Sequence, residues 1–300
     1  MSTAQPPTTT SAYPDRSTTL MLLGIFQVLL GCLCGLMAVM MVAVSRMGQL
    51  APAPQGQAMS IQSMIPYIIF YLSFAVAFIW LGIGLARARR WAWTLTVVLW
   101  WMWLIIGVLS FVMVVFFLGP IMSATIAQQG KIPPESIMAI RIVMGAITAC
   151  IYILVPGIFL VLCHRESVRA TCQRRDPTIR WTDRCPMPVL ALSISLALSV
   201  ASMSTLVAYG CVVPLFGVFI PGATGAVVIL LITLVLAYLA WGTYRLQTTA
   251  WWGTLLLYTA GTLNMVVVFS RNKLMEMYET MGVPADQLEA IRKMGVVELP

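Results

Sequence analysis

Residues 19–44 read TLMLLGIFQVLLGCLCGLMAVMMVAV and contain no charged side chain. An α-helix needs about 20 apolar residues to cross about 30 Å of hydrocarbon, so this stretch is long enough to span a membrane. The apolar core of a cleaved signal peptide has only about 7–15 residues, and the longer run here therefore predicts a span that is retained. This stretch therefore predicts a transmembrane helix and, with it, a helical membrane protein.

The composition of the chain agrees with a membrane protein. The chain has 300 residues, of which 60% are hydrophobic and 9% charged. In an average soluble domain, roughly a quarter of the residues are charged. The apolar runs are continuous rather than alternating, which favours helices over a β-barrel. We therefore predict an all-α, polytopic helical membrane protein with about seven transmembrane helices: 20–44, 65–86, 92–118, 139–163, 187–209, 223–244 and 250–270.

The start of the sixth span has an unusual composition. Prolines and glycines cluster ahead of it, at Pro214, Gly217, Pro221, Gly222 and Gly225. Membranes accept irregular backbone only where protein covers it. The cluster therefore predicts a bent or re-entrant lead-in to this span.

The basic residues predict how the chain lies in the membrane. The net charge is +8, and an excess of Lys and Arg in a membrane protein collects in short cytoplasmic loops. This explanation is favoured over a nucleic-acid-binding surface, so no nucleic-acid partner is predicted. A cytoplasmic N-terminus, with the C-terminus outside, places these arginines on the inner side: Arg16, Arg87, Arg89, Arg90, Arg165, Arg169, Arg174, Arg175, Arg180, Arg184 and Arg245.

Two parts of the sequence resemble each other. The string GLAR at 84–87 recurs as GTYR at 242–245, and a tryptophan follows each string at the same spacing. Downstream, IPPESIMAIR at 132–141 matches VPADQLEAIR at 283–292. Three spans in a repeat and one linking span restore the original direction of the chain. The sequence therefore predicts two parallel internal repeats related by an axis along the membrane normal.

These patterns divide the chain into five segments. The predicted segments are a disordered N-terminal tail at 1–18, the first repeat with the linking fourth transmembrane helix at 19–163, a cytoplasmic Arg-rich linker at 164–186, the transmembrane helices of the second repeat at 187–270, and an extracytoplasmic amphipathic C-terminal tail at 271–300. The last segment either contacts the membrane interface or a partner, or is an evolutionary truncation without a role of its own.

The linker at 164–186 reads HRESVRATCQRRDPTIRWTDRCP and holds the only histidine of the chain. Its simplest interpretation is a compact, positively charged connector between the two repeats. The alternative is a contact with anionic lipid headgroups, to which each basic residue near the surface contributes about 1 kcal/mol. The arginines predicted for that contact are Arg174, Arg175, Arg180 and Arg184.

The linker also offers soft metal ligands. Cys163, Cys172, Cys185 and His164 lie in or beside it, but structural zinc sites favour cysteine pairs separated by only two to four residues. Axial ligation of a haem would depend on His164 alone. We therefore predict neither a metal site nor a cofactor, although the cysteines leave zinc as an open alternative.

The third span carries Trp93, Trp100 and Trp103 on roughly one helical face. A stripe of this kind is more typical of packing against lipid or neighbouring helices than of binding a flat ring cofactor. Asn264, Gln27 and scattered hydroxyl side chains are the main polar groups inside the spans. Small hydroxyl residues usually serve close helix packing.

No phosphate-binding loop, HExxH or GxSxG motif is present in the sequence. We therefore predict no enzymatic activity and no catalytic residue. The leading hypothesis is a structural or accessory protein that packs against membrane lipids or other membrane proteins, with an exposed aromatic face through Trp100 and Trp103. The alternative is a small transporter or channel for an uncharged or lipid-like substrate, with a cavity between the repeats lined by groups such as Asn264.

The linker also carries a resemblance. VRATC at 168–172, RDP at 175–177, RWTDRCP at 180–186 and PVL at 188–190 resemble a linker found in uncharacterised bacterial multi-pass membrane proteins. This resemblance implies a location in the bacterial inner membrane and implies no activity.

Overall fold

The computed structural model describes residues 13–50, 61–114, 134–208 and 210–270, together with Glu276, Glu279, Thr280 and Leu288. The helices are α1 Ser17–Leu50, α2 Ile61–Ala86, α3 Arg90–Met113, α4 Pro134–Ala149, α5 Val155–Cys163, α6 Glu166–Arg175, α7 Met187–Ala208, α8 Gly222–Tyr244 and α9 Thr248–Ser270. A π-helical turn at Cys150–Leu154 joins α4 to α5, and a 3-10 turn at Trp181–Asp183 follows α6.

Six helices of the described chain are long and apolar enough to cross a membrane. They are Ser17–Arg46, Tyr67–Ala86, Arg90–Val112, Met138–Cys163, Gly222–Tyr244 and Thr248–Val268. The prediction of an all-α, polytopic helical protein is confirmed. The fifth predicted span coincides with α7, whose apolar part Met187–Met203 is shorter, so its crossing of the membrane stays a prediction. The ends predicted at 115–118 and 209, and most of the tail at 271–300, lie outside the described residues.

The π-helical turn has a cause in the sequence. Pro156 lacks the N–H that would continue the hydrogen-bond ladder of an α-helix, and its ring crowds the carbonyl of Tyr152. A single turn of π-helix, in which the Val155 N–H bonds to the Cys150 carbonyl, accommodates this defect. Gly107 of α3 lies against the turn, because a Cβ at Gly107 would stand 2.4 Å from the Tyr152 carbonyl oxygen.

The described chain forms two compact units, one with residues up to Trp100 and Gly157–Arg184, the other with Trp101–Pro156 and residues from Cys185. In the first unit α1 packs along α2 at glycines. A Cβ at Gly24 would lie 2.6 Å from the Ala86 nitrogen and 2.6 Å from the Gly82 oxygen. Small residues of this kind allow helix backbones to touch where the membrane supplies no hydrophobic driving force.

In the second unit α7, α8 and α9 share an apolar core. Leu196, Leu236, Leu239, Ala240 and Ala250 are buried there. The Ser193 hydroxyl donates to the Ala240 carbonyl at 2.8 Å. This polar contact satisfies the hydroxyl within the helix pair, as expected for a serine that serves packing.

The lead-in to α8 is a β-hairpin. Strands β1 (Val213–Leu215) and β2 (Val218–Ile220) pair antiparallel, and the turn residues Phe216 and Gly217 both have positive φ, at 47° and 87°. Two consecutive residues with positive φ are typical of two-residue hairpin turns, whose backbone matches the right-handed twist of the strands. Irregular backbone was expected at this position, whereas strand pairing was not.

Two helix ends have the same geometry. The turns that follow α2 and α8 each contain a residue with positive φ, Ala88 at 52° and Leu246 at 59°. In both turns the residue after it bonds back to a glycine carbonyl, Arg89 N to Gly84 O and Gln247 N to Gly242 O, each at 2.9 Å. This 6→1 bond belongs to the Schellman motif that commonly ends helices. The two matching strings, GLAR and GTYR, therefore adopt the same local structure.

Candidate functional site: the arginine-rich connector

Helix α6 occupies the first half of the arginine-rich connector, which we define as residues 164–186. Val168, Thr171 and Cys172 form its buried face, each at most 2% exposed, while the arginines occupy the other faces. The Thr171 hydroxyl donates to the Ser167 carbonyl at 2.7 Å and accepts from the Arg16 backbone N–H at 3.1 Å. The connector is therefore packed onto the protein rather than extended in solvent.

The N-terminal segment before α1 holds α6 through polar contacts. The Asp15 carboxylate pairs with Arg175 at 3.3 Å, and the Tyr13 hydroxyl donates to the Glu166 carboxylate. Within the N-terminal tail predicted at 1–18, residues 13–16 are therefore held to α6 by one ion pair and by hydrogen bonds, and α1 begins at Ser17. Residues 1–12 lie outside the described part of the chain.

The turn between α2 and α3 meets the second half of the connector. Arg90 Nε lies 2.8 Å from Asp183 Oδ1, and Arg89 Nη1 lies 4.0 Å from Asp176 Oδ2. In the first turn of α3, the Trp93 indole N–H donates to the Cys163 carbonyl at 3.0 Å. These contacts join the end of α2, the start of α3 and the connector into one polar cluster, which we call the basal cluster.

Asp176 is the most buried carboxylate of the basal cluster, at 2% exposure. The hydrogen bond from Thr178 lowers the pKa of this carboxyl, burial opposes it, and the Arg90 N–H and the charges of Arg180 and Arg89 lower it further. The net direction is downward, so Asp176 is ionised at neutral pH. A buried carboxylate is stable only with such compensation.

Asp183 organises the 3-10 turn. One of its oxygens pairs with Arg90, while the other accepts the Arg180 backbone N–H at 3.1 Å. The Asp183 N–H returns a bond to the Arg180 carbonyl at 3.0 Å. The side chain therefore fixes both the local turn and its attachment to α3.

The four predicted lipid-contact arginines have different surroundings. Arg174 donates to the Tyr13 carbonyl at 3.4 Å, Arg175 pairs with Asp15, and Arg180 lies 4.0 Å from Asp176. Arg184 is exposed, and no ion pair among the described residues includes it. Three of the four arginines therefore contribute to internal attachment, although Arg175 and Arg180 remain about half exposed.

No pattern in the sequence predicts that Asp176 and Asp183 contact the α2–α3 turn. Within the linker itself, Asp176 also contacts Arg180, and Asp183 accepts the Arg180 backbone N–H. Their contacts with Arg89 and Arg90 join segments that are far apart in the chain, and spacing does not encode such pairings.

The linker cysteines are buried. Cys163 and Cys172 have no exposed surface, and Cys185 is 6% exposed. Burial, together with the nearby Cys163 and Asp176, raises the pKa of the Cys172 thiol to about 12, and burial also raises that of Cys185. Within the described ranges no group of three or more His, Cys, Asp or Glu side chains is placed to hold a metal ion. His164 is exposed, and its Nδ1 donates to the Leu160 carbonyl at 3.0 Å.

Two groups of the spans that the sequence singled out, Asn264 and Trp100, make internal contacts. Asn264 donates to the Pro214 carbonyl at 2.9 Å and accepts the Phe216 N–H at 2.5 Å, so it ties the hairpin to α9. Trp100 is 2% exposed and stacks on Phe159 with ring centroids 4.3 Å apart. The expectation of an exposed face through Trp100 is therefore wrong, because its ring completes the core of the first unit.

These features define a class of protein: a multi-pass helical membrane protein with an arginine-rich connector packed against its N-terminal segment and its α2–α3 turn. No protein-family model, curated protein or solved structure matches the chain.

Proposed function

We propose that this protein is a structural or accessory component of the bacterial inner membrane, which packs against other membrane proteins or lipids. The observation that carries this proposal is how little of each apolar span is covered by the chain itself. Only 11% of the span in α9 and 17% of that in α1 are buried. The uncovered apolar surface suits a protein whose working contacts lie in the membrane.

The proposed orientation puts the N-terminus and the connector in the cytoplasm and the C-terminus outside. Ion pairs bring the segment before α1, the α2–α3 turn and the connector together in the first unit. These three segments carry most of the arginines, and a single arginine-rich side of this kind supports the cytoplasmic assignment under the positive-inside rule.

We also propose that the chain arose by duplication into two parallel repeats. The identical turns after Gly84 and Gly242 support this proposal, since they share both the positive φ and the 6→1 hydrogen bond. A matching glycine contact adds to it. A Cβ at Gly84 would lie 2.6 Å from the Ala92 Cβ, and one at Gly242 would lie 2.7 Å from the Ala250 Cβ.

The transporter alternative needs polar groups that are available to a substrate. Asn264, the residue on which that hypothesis depended, uses both its amide nitrogen and its oxygen in holding the hairpin. Ser193 is likewise bonded to Ala240. These contacts favour the accessory role, and we assign no catalytic role to any residue.

Purification of the full chain in mild detergent, with mass spectrometric identification of co-purifying proteins, tests the proposal. We expect a membrane protein partner at fixed stoichiometry, and its loss when Trp252→Ala and Leu256→Ala are combined, because these side chains are 60% and 72% exposed on α9. Val76→Ala, at a 68% exposed position on α2, is the control. A monodisperse monomer without any partner contradicts the accessory role.

A further inference from the structure

A groove of about 370 Å³ lies on the surface of the first unit, between α1 and α2. It is lined by Met21, Ile25, Val28 and Leu29 of α1, by Ile83 of α2 and by Arg87 after it. The α1 residues follow one helical face over two turns, about 12 Å of helix. The lining is apolar except for this arginine.

The close contact between α1 and α2 explains why the groove exists. Gly24 and Gly82 bring the two backbones together, with a Cβ at Gly82 only 2.8 Å from the Gly24 oxygen. Larger side chains beside this contact cannot enter it and project outward. Met21, Ile25 and Ile83 are 54%, 43% and 43% exposed, and they form the walls of the groove.

Arg87 differs from its neighbours in the basal cluster. Arg89 and Arg90 pair with Asp176 and Asp183, whereas none of the ion pairs in the described ranges includes Arg87. Arg87 is exposed and directly follows the span Tyr67–Ala86. It therefore stands at the boundary of the hydrocarbon layer, with its charge available to an anion.

The matching position in the second half of the chain is built differently. Arg245 lies over the Trp241 ring, with its guanidinium carbon 4.8 Å from the ring centroid, which is a cation–π contact. In the alignment of GLAR with GTYR, Trp241 takes the position of Ile83. The smaller Ile83 leaves open the space beside the arginine that an aromatic ring occupies in the other copy.

We propose that this groove binds one phospholipid with an anionic headgroup, its phosphate on Arg87 and an acyl chain against Met21, Ile25 and Ile83. A guanidinium at the mouth of an apolar groove complements a molecule that joins an anion to a hydrocarbon chain. Guanidinium groups bind phosphate oxygens in a bidentate manner. The site deepens the proposed accessory role by naming a lipid class. It rests on the proposed membrane location, and the comparison with Arg245 rests also on the proposed duplication.

Native mass spectrometry of the full chain in mild detergent tests the site. Phosphatidylglycerol and phosphatidylcholine with the same acyl chains are added separately, and bound lipid is counted. We expect one phosphatidylglycerol to bind more tightly than phosphatidylcholine. Arg87→Gln should weaken its binding about five- to tenfold, from the contribution of one basic residue and its phosphate hydrogen bonds. Ile83→Trp should weaken it similarly by filling the groove.

Arg245→Gln is the matched control and should leave lipid binding within about twofold of wild type. Equal effects of Arg87→Gln and Arg245→Gln, or equal binding of the two lipids, would overturn the proposal. Displacement of the lipid by inorganic phosphate at a concentration similar to that of the lipid would also overturn it, since the apolar groove would then add no affinity. Lipid counts and protein partners are separate readouts, so a missing partner contradicts the accessory role without affecting the lipid site.

Discussion

At the scale of single residues, the basal cluster depends on a carboxylate that water does not reach. Asp176 is 2% exposed, and its two arginine neighbours lie 4.0 Å away, beyond hydrogen-bond length. Its close contact is instead the Thr178 hydroxyl at 2.5 Å. Hydrogen bonds, with the arginines as longer-range partners, therefore stabilise this charge.

Asp176 should make the stability of the fold depend on acid. Its pKa is lower in the folded protein than the ordinary value of 3.8. The ionised side chain therefore stabilises the fold above that value, and this contribution is lost as pH falls through the lower, folded-state pKa. Asp176→Asn should lower the free energy of unfolding by roughly 1–3 kcal/mol at neutral pH. The melting temperature of this variant should also fall less in acid than that of the wild type.

Melting temperatures of the wild type and the variant in detergent, measured at neutral and at acidic pH, check this expectation. Glu279→Gln, which removes an exposed carboxylate, is the control and should retain the wild-type acid dependence. An Asp176→Asn variant as acid-sensitive as the wild type would contradict the role assigned to this side chain.

The Cys172 thiol should be chemically inert in the folded protein. It has no exposed surface, and its pKa of about 12 keeps it protonated at neutral pH, whereas the thiolate is the reactive form. Maleimide should label it only after denaturation, while Gln173→Cys, at an exposed neighbouring position, should label at once. Equal labelling rates under native conditions would show that α6 does not pack as described.

Prediction from sequence is weakest at this scale. The sequence places many arginines near four acids, but it does not say which of them pair. The link from Arg90 to Asp183 depends on how α3 packs beside the connector. Arg87 shows the same limit, because only the packed helices reveal the apolar groove beside it and its absence from the ion pairs of the described residues.

At the scale of helices and strands, the α1–α2 contact depends on glycine. Gly24→Ala should destabilise the protein by about 1–3 kcal/mol, because the new Cβ would lie 2.6 Å from backbone atoms of α2 and the helices would have to separate. Gly261→Ala is the control, since among the described residues no atom outside the nearby backbone of its own helix lies within 4 Å of the added Cβ.

The control should be neutral or slightly stabilising, because alanine favours helix more than glycine does. Melting temperatures of both variants in the same detergent provide the measurement. Equal melting temperatures for the two variants would contradict the close approach of α1 and α2.

The apolar runs predicted most helices because charge-free length is a local property of the chain. The hairpin at 213–220 is different. Its strands have three residues each, too few to show an alternating pattern, and its anchor Asn264 lies on another helix. The prolines and glycines indicated irregular backbone, but the strand pairing arises from contacts that are distant in sequence.

At the scale of the whole molecule, the proposed orientation places the connector on the cytoplasmic side of the membrane and the C-terminus on the outer side. The connector carries positive charge and is also attached to the protein, because ion pairs join it to the arginine-rich α2–α3 turn and to the segment before α1. Labelling of Cys172 and Cys185 does not report this sidedness, since both are buried. Two exposed positions are better suited: Ile179 of the connector, 72% exposed, and Val218 of the hairpin, 65% exposed.

The most direct test labels Ile179→Cys and Val218→Cys in intact cells with a membrane-impermeant maleimide, each in a background with Cys211→Ala. A cytoplasmic connector, followed by an α7 that crosses the membrane, predicts that Val218→Cys is labelled from outside, while Ile179→Cys is labelled only after the membrane is permeabilised. Labelling of Ile179→Cys in intact cells, with protection of Val218→Cys, would contradict the proposed orientation.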